Sequence, residues 1–103
     1  MVESVFIEAA KSRKLCELVD AAGHARTVEP HMVYTSSTGK RLLHCYQVRG
    51  HSEGQHHFGW KNLAVEAFQS AQVLSRRFTA RADYNPFDSS KFPEVHFAIS
   101  PRG

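Results

Sequence analysis

The sequence predicts a mainly β fold with one N-terminal helix, built as a five-stranded antiparallel barrel over about residues 15–78 plus a short C-terminal strand. Near the N-terminus the apolar residues recur at three- and four-residue steps, as they do on one face of an amphipathic helix. Beyond residue 14 the apolar residues follow a shorter rhythm over brief runs, which is typical of strands. Segments rich in turn-forming residues separate those runs and predict tight connections between antiparallel neighbours.

The first third of the chain predicts a helix over about residues 4–13, followed by a hairpin. The apolar face of the helix is formed by Val2, Val5, Phe6 and Ala9. We interpret residues 15–20 as the first strand, and the turn Ala22-Gly23-His24 leads into a partner that begins near Ala25. Pro30 interrupts this second strand. Because proline cannot donate to a strand ladder, it predicts an edge position or a bend there.

The middle of the chain predicts three further strands. Residues 36–40 form a turn signal, and the third strand follows over 41–48. Its alternation places two groups on opposite faces: Leu42, His44, Tyr46 and Val48 on one, and Leu43 and Cys45 on the other. Residues 49–58 contain two glycines and few apolar side chains, which indicates a flexible loop. Strands over about 60–68 and 71–78 would complete the barrel and protect most of its edges.

Residues 82–100 predict a corner and a final strand. The corner at 82–88 combines turn residues with two aromatics, and we expect Tyr84 and Phe87 to pin it to the barrel. The alternation of Val95, Phe97 and Ile99 with less apolar neighbours predicts a strand. This strand is expected either to add to an edge of its own barrel or to pair across a homodimer.

The composition predicts a single cytoplasmic domain over residues 1–103. Apolar residues make up 42% of the chain, which suffices for one modest core. The sequence shows neither a long apolar run for a membrane span nor the features of a secretory signal. Cys16 and Cys45 have no close spacing, so we expect reduced core thiols rather than a disulfide. The net charge of +3 permits contact with anions.

Three segments in a fixed order carry a family resemblance: Arg26 to His31, the pattern Leu43-x-x-Tyr46, and Trp60-Lys61. Over about residues 7–78 the chain resembles the WYL domain. The resemblance implies a Sm-like (SH3-like) barrel of the kind that senses ligands in bacterial transcriptional regulators, here standing alone. The tripeptide that names the family falls on Arg41-Leu42-Leu43, and Ala64 and Ala67 stand where the family carries ligand-binding arginines.

Six residues are predicted to line a ligand pocket: Arg26, His31, His44, Tyr46, Trp60 and Lys61. They suit a planar or anionic small ligand, a nucleotide, or one or two unpaired bases. Such a ligand would stack on Trp60 and Tyr46, and Arg26 with Lys61 would supply the positive charge. The alternative is that Tyr46 is a core aromatic with a locally satisfied hydroxyl and that Trp60 caps the end of the barrel.

A second candidate surface combines the basic residues Arg76, Arg77 and Arg81 with the aromatic residues Phe78 and Tyr84. Together they would allow cationic and aromatic contacts to nucleic acid. Domains that bind nucleic acid usually carry a denser basic stripe than this. The alternative interpretation is therefore a solvated strand end.

No catalytic, metal or cofactor site is predicted, since the chain has no His-x-x-x-His or Cys-x-x-Cys spacing and no glycine motif that precedes a helix. Three classes of function remain. The first is a ligand-sensing module of WYL type that binds a small anionic or planar ligand and is linked to transcriptional regulation. The second is direct binding of single-stranded nucleic acid on the barrel face. The third is a structural or dimerisation module with a closed pocket.

Overall fold

The structure is a computed structural model that describes residues 1–51 and 58–101. Its described elements are the helix α1 (Val2–Lys11), the 3-10 turn Val65–Ala67 and the strands β1 (Lys14–Asp20), β2 (Ala25–Thr35), β3 (Arg41–Gly50), β4 (Gly59–Ala64), β5 (Phe68–Arg77) and β6 (Glu94–Ala98). The predicted mainly β composition with one N-terminal helix is confirmed. Most of the predicted loop at 49–58 lies outside the described residues. Within them, no helix is both long enough and apolar enough to cross a membrane.

Helix α1 begins and ends two residues before its predicted bounds. Its buried residues are Phe6, Ala9 and Ala10, which follow the three- and four-residue spacing of the sequence. The helix ends at Lys11 because Arg13 has a φ of 54°, in the left-handed region. From there the Arg13 guanidinium donates a hydrogen bond to the Ala10 carbonyl oxygen at 2.9 Å, which satisfies one of the last helical carbonyl groups.

The strands form one antiparallel sheet that is open rather than closed. Strands β1 to β4 are neighbours in chain order and β5 returns to pair with β1, which gives the order β4-β3-β2-β1-β5. No pairing among the described residues joins β4 to β5, so the closed five-stranded barrel stays a prediction. The predicted strand at 60–68 is wrong beyond Ala64, because Val65–Ala67 form a 3-10 turn before β5 begins.

Strand β2 pairs with β3 along one edge, and on its other edge it changes partner halfway along its length. Its first part, residues 25–28, pairs with β1, whereas residues 32–35 pair with β6. Its register against β3 shifts between residues 30 and 32. An irregularity at this point suits Pro30, which has no N–H to donate. His31 follows directly, and its carbonyl oxygen accepts a hydrogen bond from the Ile99 N–H at 3.0 Å.

The C-terminal strand adds to the protein's own sheet. Its pairing with β2 is one of the two predicted arrangements, and a homodimer through this strand stays a prediction. Tyr84 pins the preceding corner, because it is buried and its hydroxyl donates to the Ile99 carbonyl oxygen at 3.0 Å. The prediction that Phe87 also pins the corner is wrong, since 79% of this side chain is exposed.

The sheet separates two groups of buried side chains. The first group, which includes Phe6 and Ala9 of α1, also contains Cys16, Leu18, Val28, Val33, Leu43 and Cys45. The other group contains Ala10, Leu15, Met32, Tyr34, Phe78, Tyr84, Phe92 and Ile99. The predicted alternation along β3 explains this division, since Leu43 and Cys45 lie in the first group and Leu42 packs against the second. Both cysteines are free.

Candidate functional site

Two clefts open on the sheet face that carries His44 and Tyr46. The larger, which we call the arginine cleft, has a volume of about 1250 Å³. The smaller, which we call the aromatic cavity, has a volume of about 680 Å³. The segment 79–85 borders both clefts, since its first half lines the arginine cleft and its second half lines the aromatic cavity.

The arginine cleft gathers basic side chains from separate parts of the chain: Arg13, Arg49, Arg76, Arg77 and Arg81. Strand pairing explains why they meet. Antiparallel pairing of β1 with β5 places Lys14 opposite Arg77, and the Phe78 N–H donates to the Arg13 carbonyl oxygen at 2.9 Å. Between the arginines lie the apolar residues Leu15, Val48, Leu74, Phe78, Ala80 and Ala82. The cleft therefore combines positive charge with apolar surface.

Glu29 supplies the one carboxylate among the described residues of the arginine cleft, and it is already paired. The Nε and Nη2 atoms of Arg81 donate to its two oxygens at 2.8 and 2.9 Å. The Arg81 guanidinium carbon also lies 3.7 Å from the centre of the Tyr46 ring, in a cation-π contact. The other four arginines have no carboxylate at ion-pair distance within the described part of the chain. Arg13 is partly buried and donates to the Ala10 carbonyl oxygen, whereas Arg49, Arg76 and Arg77 are exposed and their charge can attract an anion.

The aromatic cavity lies between β2, β3, β4 and the segment that precedes β6. It is lined by Tyr34, His44, Trp60, Asn62, Asp83, Asn85, Asp88, Lys91 and Phe92. The pairing of β3 with β4 places His44 opposite Asn62 and Tyr46 opposite Trp60. The rings of His44 and Trp60 are stacked, with centroids 4.6 Å apart and planes 3° from parallel. The Trp60 indole N–H donates to an Asp83 carboxylate oxygen at 2.9 Å.

His44 is a neutral imidazole whose Nδ1 faces the side-chain amide of Asn62. Burial lowers its pKa, so the ring is uncharged at neutral pH. Its Nδ1 lies 2.8 Å from Asn62 Oδ1, which also accepts the Tyr34 hydroxyl at 3.0 Å. Because that amide oxygen can only accept, Nδ1 carries the proton and Nε2 keeps its lone pair. No described residue hydrogen-bonds to Nε2, and this atom is not sealed from solvent.

His31 connects the two clefts without lining either. It is fully buried and contacts Trp60 and Tyr84 edge-on, at centroid distances of 4.9 and 4.8 Å. Its Nδ1 donates to the Glu29 carbonyl oxygen at 2.8 Å, and its Nε2 accepts the Arg81 backbone N–H at 3.3 Å. Burial lowers the pKa of His31 to about 4, so this imidazole is also neutral. His31 therefore fixes the 79–85 segment over the sheet.

Four of the six predicted pocket residues lie on this face. His44 and Trp60 line the aromatic cavity, Tyr46 packs beneath Arg81, and His31 lies beside them in the core. The ring of Tyr46 is partly buried and lies beneath the Arg81 guanidinium, so the alternative that Tyr46 is a core aromatic with a satisfied hydroxyl stays a prediction. These four side chains form one continuous aromatic group.

Arg26 and Lys61 lie on the opposite face of the sheet. Lys61 is paired with Cys45, whose side chain is buried next to α1. Since successive strand residues face opposite sides, Lys61 points away from the side to which Trp60 points. Arg26 donates to Gln47 Oε1 at 3.0 Å, and Gln47 is fully buried. The structure therefore does not place these two cations around a ligand stacked on Trp60.

The three arginines of the second prediction, Arg76, Arg77 and Arg81, all line the arginine cleft. Sequence reasoning missed Arg13 and Arg49, which reach the same cleft only through strand pairing. It also missed Asn62 and Asp83 in the aromatic cavity. The sequence held a signal for Asn62, because it lies two residues after Trp60 and shares the face of Trp60 in a strand.

The described side chains offer binding by charge and stacking. Burial raises the pKa of Cys16 to about 12 and also raises that of Cys45, so both remain thiols at neutral pH. No group of three or more metal-ligating side chains occurs within residues 1–51 and 58–101.

Comparisons of the chain with protein-family models, with curated proteins and with solved structures find no match. Membership of the WYL family therefore stays a prediction from the sequence segments named above.

Proposed function

We propose that this protein binds single-stranded nucleic acid through the arginine cleft and does so without catalysis. The observation that carries the proposal is the convergence of five arginines on one cleft whose single described carboxylate is already paired. A phosphodiester backbone presents successive negative charges, and guanidinium groups bind phosphate oxygens through paired hydrogen bonds. Neutralising several phosphates releases counterions, which gives such binding its affinity and its salt dependence.

The size and the basic rim of the arginine cleft favour a nucleic-acid strand over a compact ligand. Pockets for small molecules usually enclose about 300–1000 Å³. The arginine cleft is larger, at about 1250 Å³, and its rim is basic. Its apolar lining includes the partly exposed Val48 and Leu74, which can contact sugars or bases while the arginines contact the backbone. The overall charge of +3 adds a weaker attraction of the same sign.

A second candidate is a nucleotide-sensing module of the WYL type. The strand order β4-β3-β2-β1-β5, with a helix before β1, supports an open form of the Sm-like barrel that the resemblance implies. A single nucleotide would place its phosphates on the same arginines. The family's arginine positions hold Ala64 and Ala67 here, so the charge for this function would come from Arg76, Arg77 and their neighbours.

The test is a salt titration of binding to a labelled single strand of about 10 nucleotides, a length within the range bound by small single-strand modules. We expect the double variant Arg76→Ala, Arg77→Ala to bind at least about tenfold more weakly at low salt, with the slope of log K against log salt reduced by about 0.7 for each lost contact. The matched control, Lys11→Ala with Lys40→Ala, removes the same charge from exposed positions outside the cleft.

Three results separate the alternatives. Equal losses of single-strand affinity in the arginine variant and in the lysine control would contradict a role for the arginine cleft. An absence of binding by the unmodified protein would contradict the function as a whole. An affinity for a mononucleotide equal to that for the strand would favour the sensing module, because a strand makes more phosphate contacts than one nucleotide can.

A further inference from the structure

We propose that the aromatic cavity binds one unpaired nucleobase that carries an exocyclic amino group, such as cytosine or adenine. The inference deepens the proposed function and rests on it for the source of the base, but the site itself is separate from the arginine cleft. It would give the protein a preference among bases, which phosphate contacts alone cannot supply.

The shape of the aromatic cavity suits a flat ligand. Its volume of about 680 Å³ falls within the usual range of about 300–1000 Å³ for small-molecule sites. Trp60, Tyr34 and Phe92 contribute aromatic surface to its walls. Trp60 is held in place by its stack on His44 and by its hydrogen bond to Asp83, so the wall needs little ordering when a ligand enters.

The polar groups of the cavity suit a ligand that donates hydrogen bonds. The His44 Nε2 lone pair has no partner among the described residues, and the remaining oxygen of the Asp83 carboxylate is a further acceptor. The amide oxygen of Asn62 is occupied by His44 and Tyr34, which leaves its NH₂ group to donate. An amino group beside a ring nitrogen, as in cytosine and adenine, matches this set of acceptors and one donor.

The charge of the cavity argues against a phosphate in the same place. Two carboxylates, Asp83 and Asp88, line it against one cation, Lys91. Hydrogen bonds from Ser90 hold the pKa of Asp88 below its usual range, so this carboxylate is ionised at neutral pH. His44 adds no positive charge because it is neutral. The cavity is thus mildly negative, whereas the arginine cleft is strongly positive.

The two sites are close enough to serve one strand. Ala82 lines the arginine cleft and Asp83 lines the aromatic cavity, and these residues are neighbours in the chain. Their Cα atoms are therefore about 3.8 Å apart. A strand whose phosphates lie on the arginines can direct an adjacent base across the 79–85 segment into the aromatic cavity.

The experiment is a titration of Trp60 fluorescence with nucleosides, which carry a base and no phosphate. Trp60 is the sole tryptophan and lines the cavity, so its emission reports on this site. We expect saturable changes with cytidine and adenosine, and binding of uridine roughly tenfold weaker, the usual scale of discrimination for a mismatched hydrogen-bond pattern. The double variant Arg76→Ala, Arg77→Ala should leave the nucleoside affinities unchanged.

A substitution tests the acceptor set directly. Asn62→Ala removes the oxygen that fixes the His44 tautomer, so the preference for cytidine over uridine should shrink towards one. The control, Gln72→Ala, truncates an exposed amide on a different strand, β5, and should keep the preference for cytidine over uridine. The comparison of nucleosides on the unmodified protein needs no variant, so the proposal stays open to refutation even if Asn62→Ala unfolds.

The outcomes distinguish this inference from the proposed function. If oligonucleotides bind with the expected salt dependence but no nucleoside changes the Trp60 signal, the base site is refuted and the arginine cleft stands. If nucleosides bind and oligonucleotides do not, the proposed function fails and the base site stands. Equal binding of cytidine and uridine would also refute the base site.

Discussion

The arginine cleft and the aromatic cavity share one sheet face but differ in how their side chains are held. In the arginine cleft, Arg49, Arg76 and Arg77 are exposed and have no carboxylate partner among the described residues. In the aromatic cavity, His44 is almost fully buried and Trp60 is fixed by a stack and a hydrogen bond. Exposed guanidinium groups keep their hydration, so they can be gathered at little cost to folding.

This difference predicts where substitutions act. Changes in the arginine cleft should alter binding and leave stability almost unchanged. Changes around the aromatic cavity should lower stability, because Tyr34 and Phe92 belong to the second buried group and Trp60 packs against it. The Glu29–Arg81 pair lies at the boundary and should affect both properties.

The largest effect on stability is expected from Tyr84→Ala. Tyr84 is 5% exposed, contacts His31 and Trp60, and its hydroxyl donates to the Ile99 carbonyl oxygen, with the His31 carbonyl oxygen also within reach. We expect the free energy of unfolding to fall by about 3–5 kcal/mol, the usual cost of deleting a buried aromatic ring. Urea unfolding measures it. The matched control is Phe87→Ala in the same corner, where an exposed ring should cost under about 0.5 kcal/mol; similar losses in both variants would contradict the assigned packing.

Acid should lower the free energy of unfolding through His31, which is buried beside the aromatic cavity. Burial lowers its pKa from 6.5 to about 4, with smaller contributions from nearby positive charges. As pH falls through this window the unfolded chain binds a proton that the folded protein does not, so the free energy of unfolding decreases. The loss should reach about 3 kcal/mol. Urea unfolding at a series of pH values should show a smaller slope for His31→Gln, and an unchanged slope would contradict the prediction.

Glu29→Gln should lower the stability of the protein and raise its affinity for single-stranded nucleic acid. Loss of the paired hydrogen bonds to Arg81 should cost roughly 1–2 kcal/mol of stability. The same change adds one positive charge to the arginine cleft and releases Arg81 from its carboxylate partner. Affinity for a single strand should therefore rise several-fold at low salt, as measured by fluorescence anisotropy. A weaker affinity would indicate that the pair holds the cleft in its binding shape.

The smallest effect is expected from Arg41→Gln, which lies outside both regions. Arg41 pairs with Glu3 of α1 through two hydrogen bonds, and 44% of its side chain is exposed. Surface ion pairs of this kind contribute about 0.2–1 kcal/mol. Chemical denaturation should detect a loss in that range that fades at high salt. Nucleic-acid affinity should change no more than it does in the Lys11 and Lys40 control.

Much of the fold could be predicted from local patterns. The alternation along β3 correctly divided Leu43 and Cys45 from Leu42, because strand geometry fixes which face each residue takes. The turn at residues 36–40 and the C-terminal strand also follow from local residue preferences. The end of β4 at Ala64 could not be predicted in this way, because Val65 and Ala67 have apolar side chains that suit a strand as well as a 3-10 turn.

The candidate site was harder to predict because it depends on strand register. Arg13 and Arg49 are far apart in the chain and reach one cleft only after β1 pairs with β5 and β2 with β3. One error was avoidable. Trp60 and Lys61 are neighbours in a strand whose register is regular, so they face opposite sides of the sheet.

The partner change in β2 has a consequence for synthesis of the protein. Residues 32–35 of β2 pair with β3 on one edge, but until residues 94–98 have left the ribosome their other edge has no strand beside it. An uncovered edge rich in apolar residues, here Met32, Val33 and Tyr34, is prone to pair with other chains. Expression of truncated chains that stop before β6 should therefore yield aggregates, and the last strand acts as the built-in cover that ends this exposure.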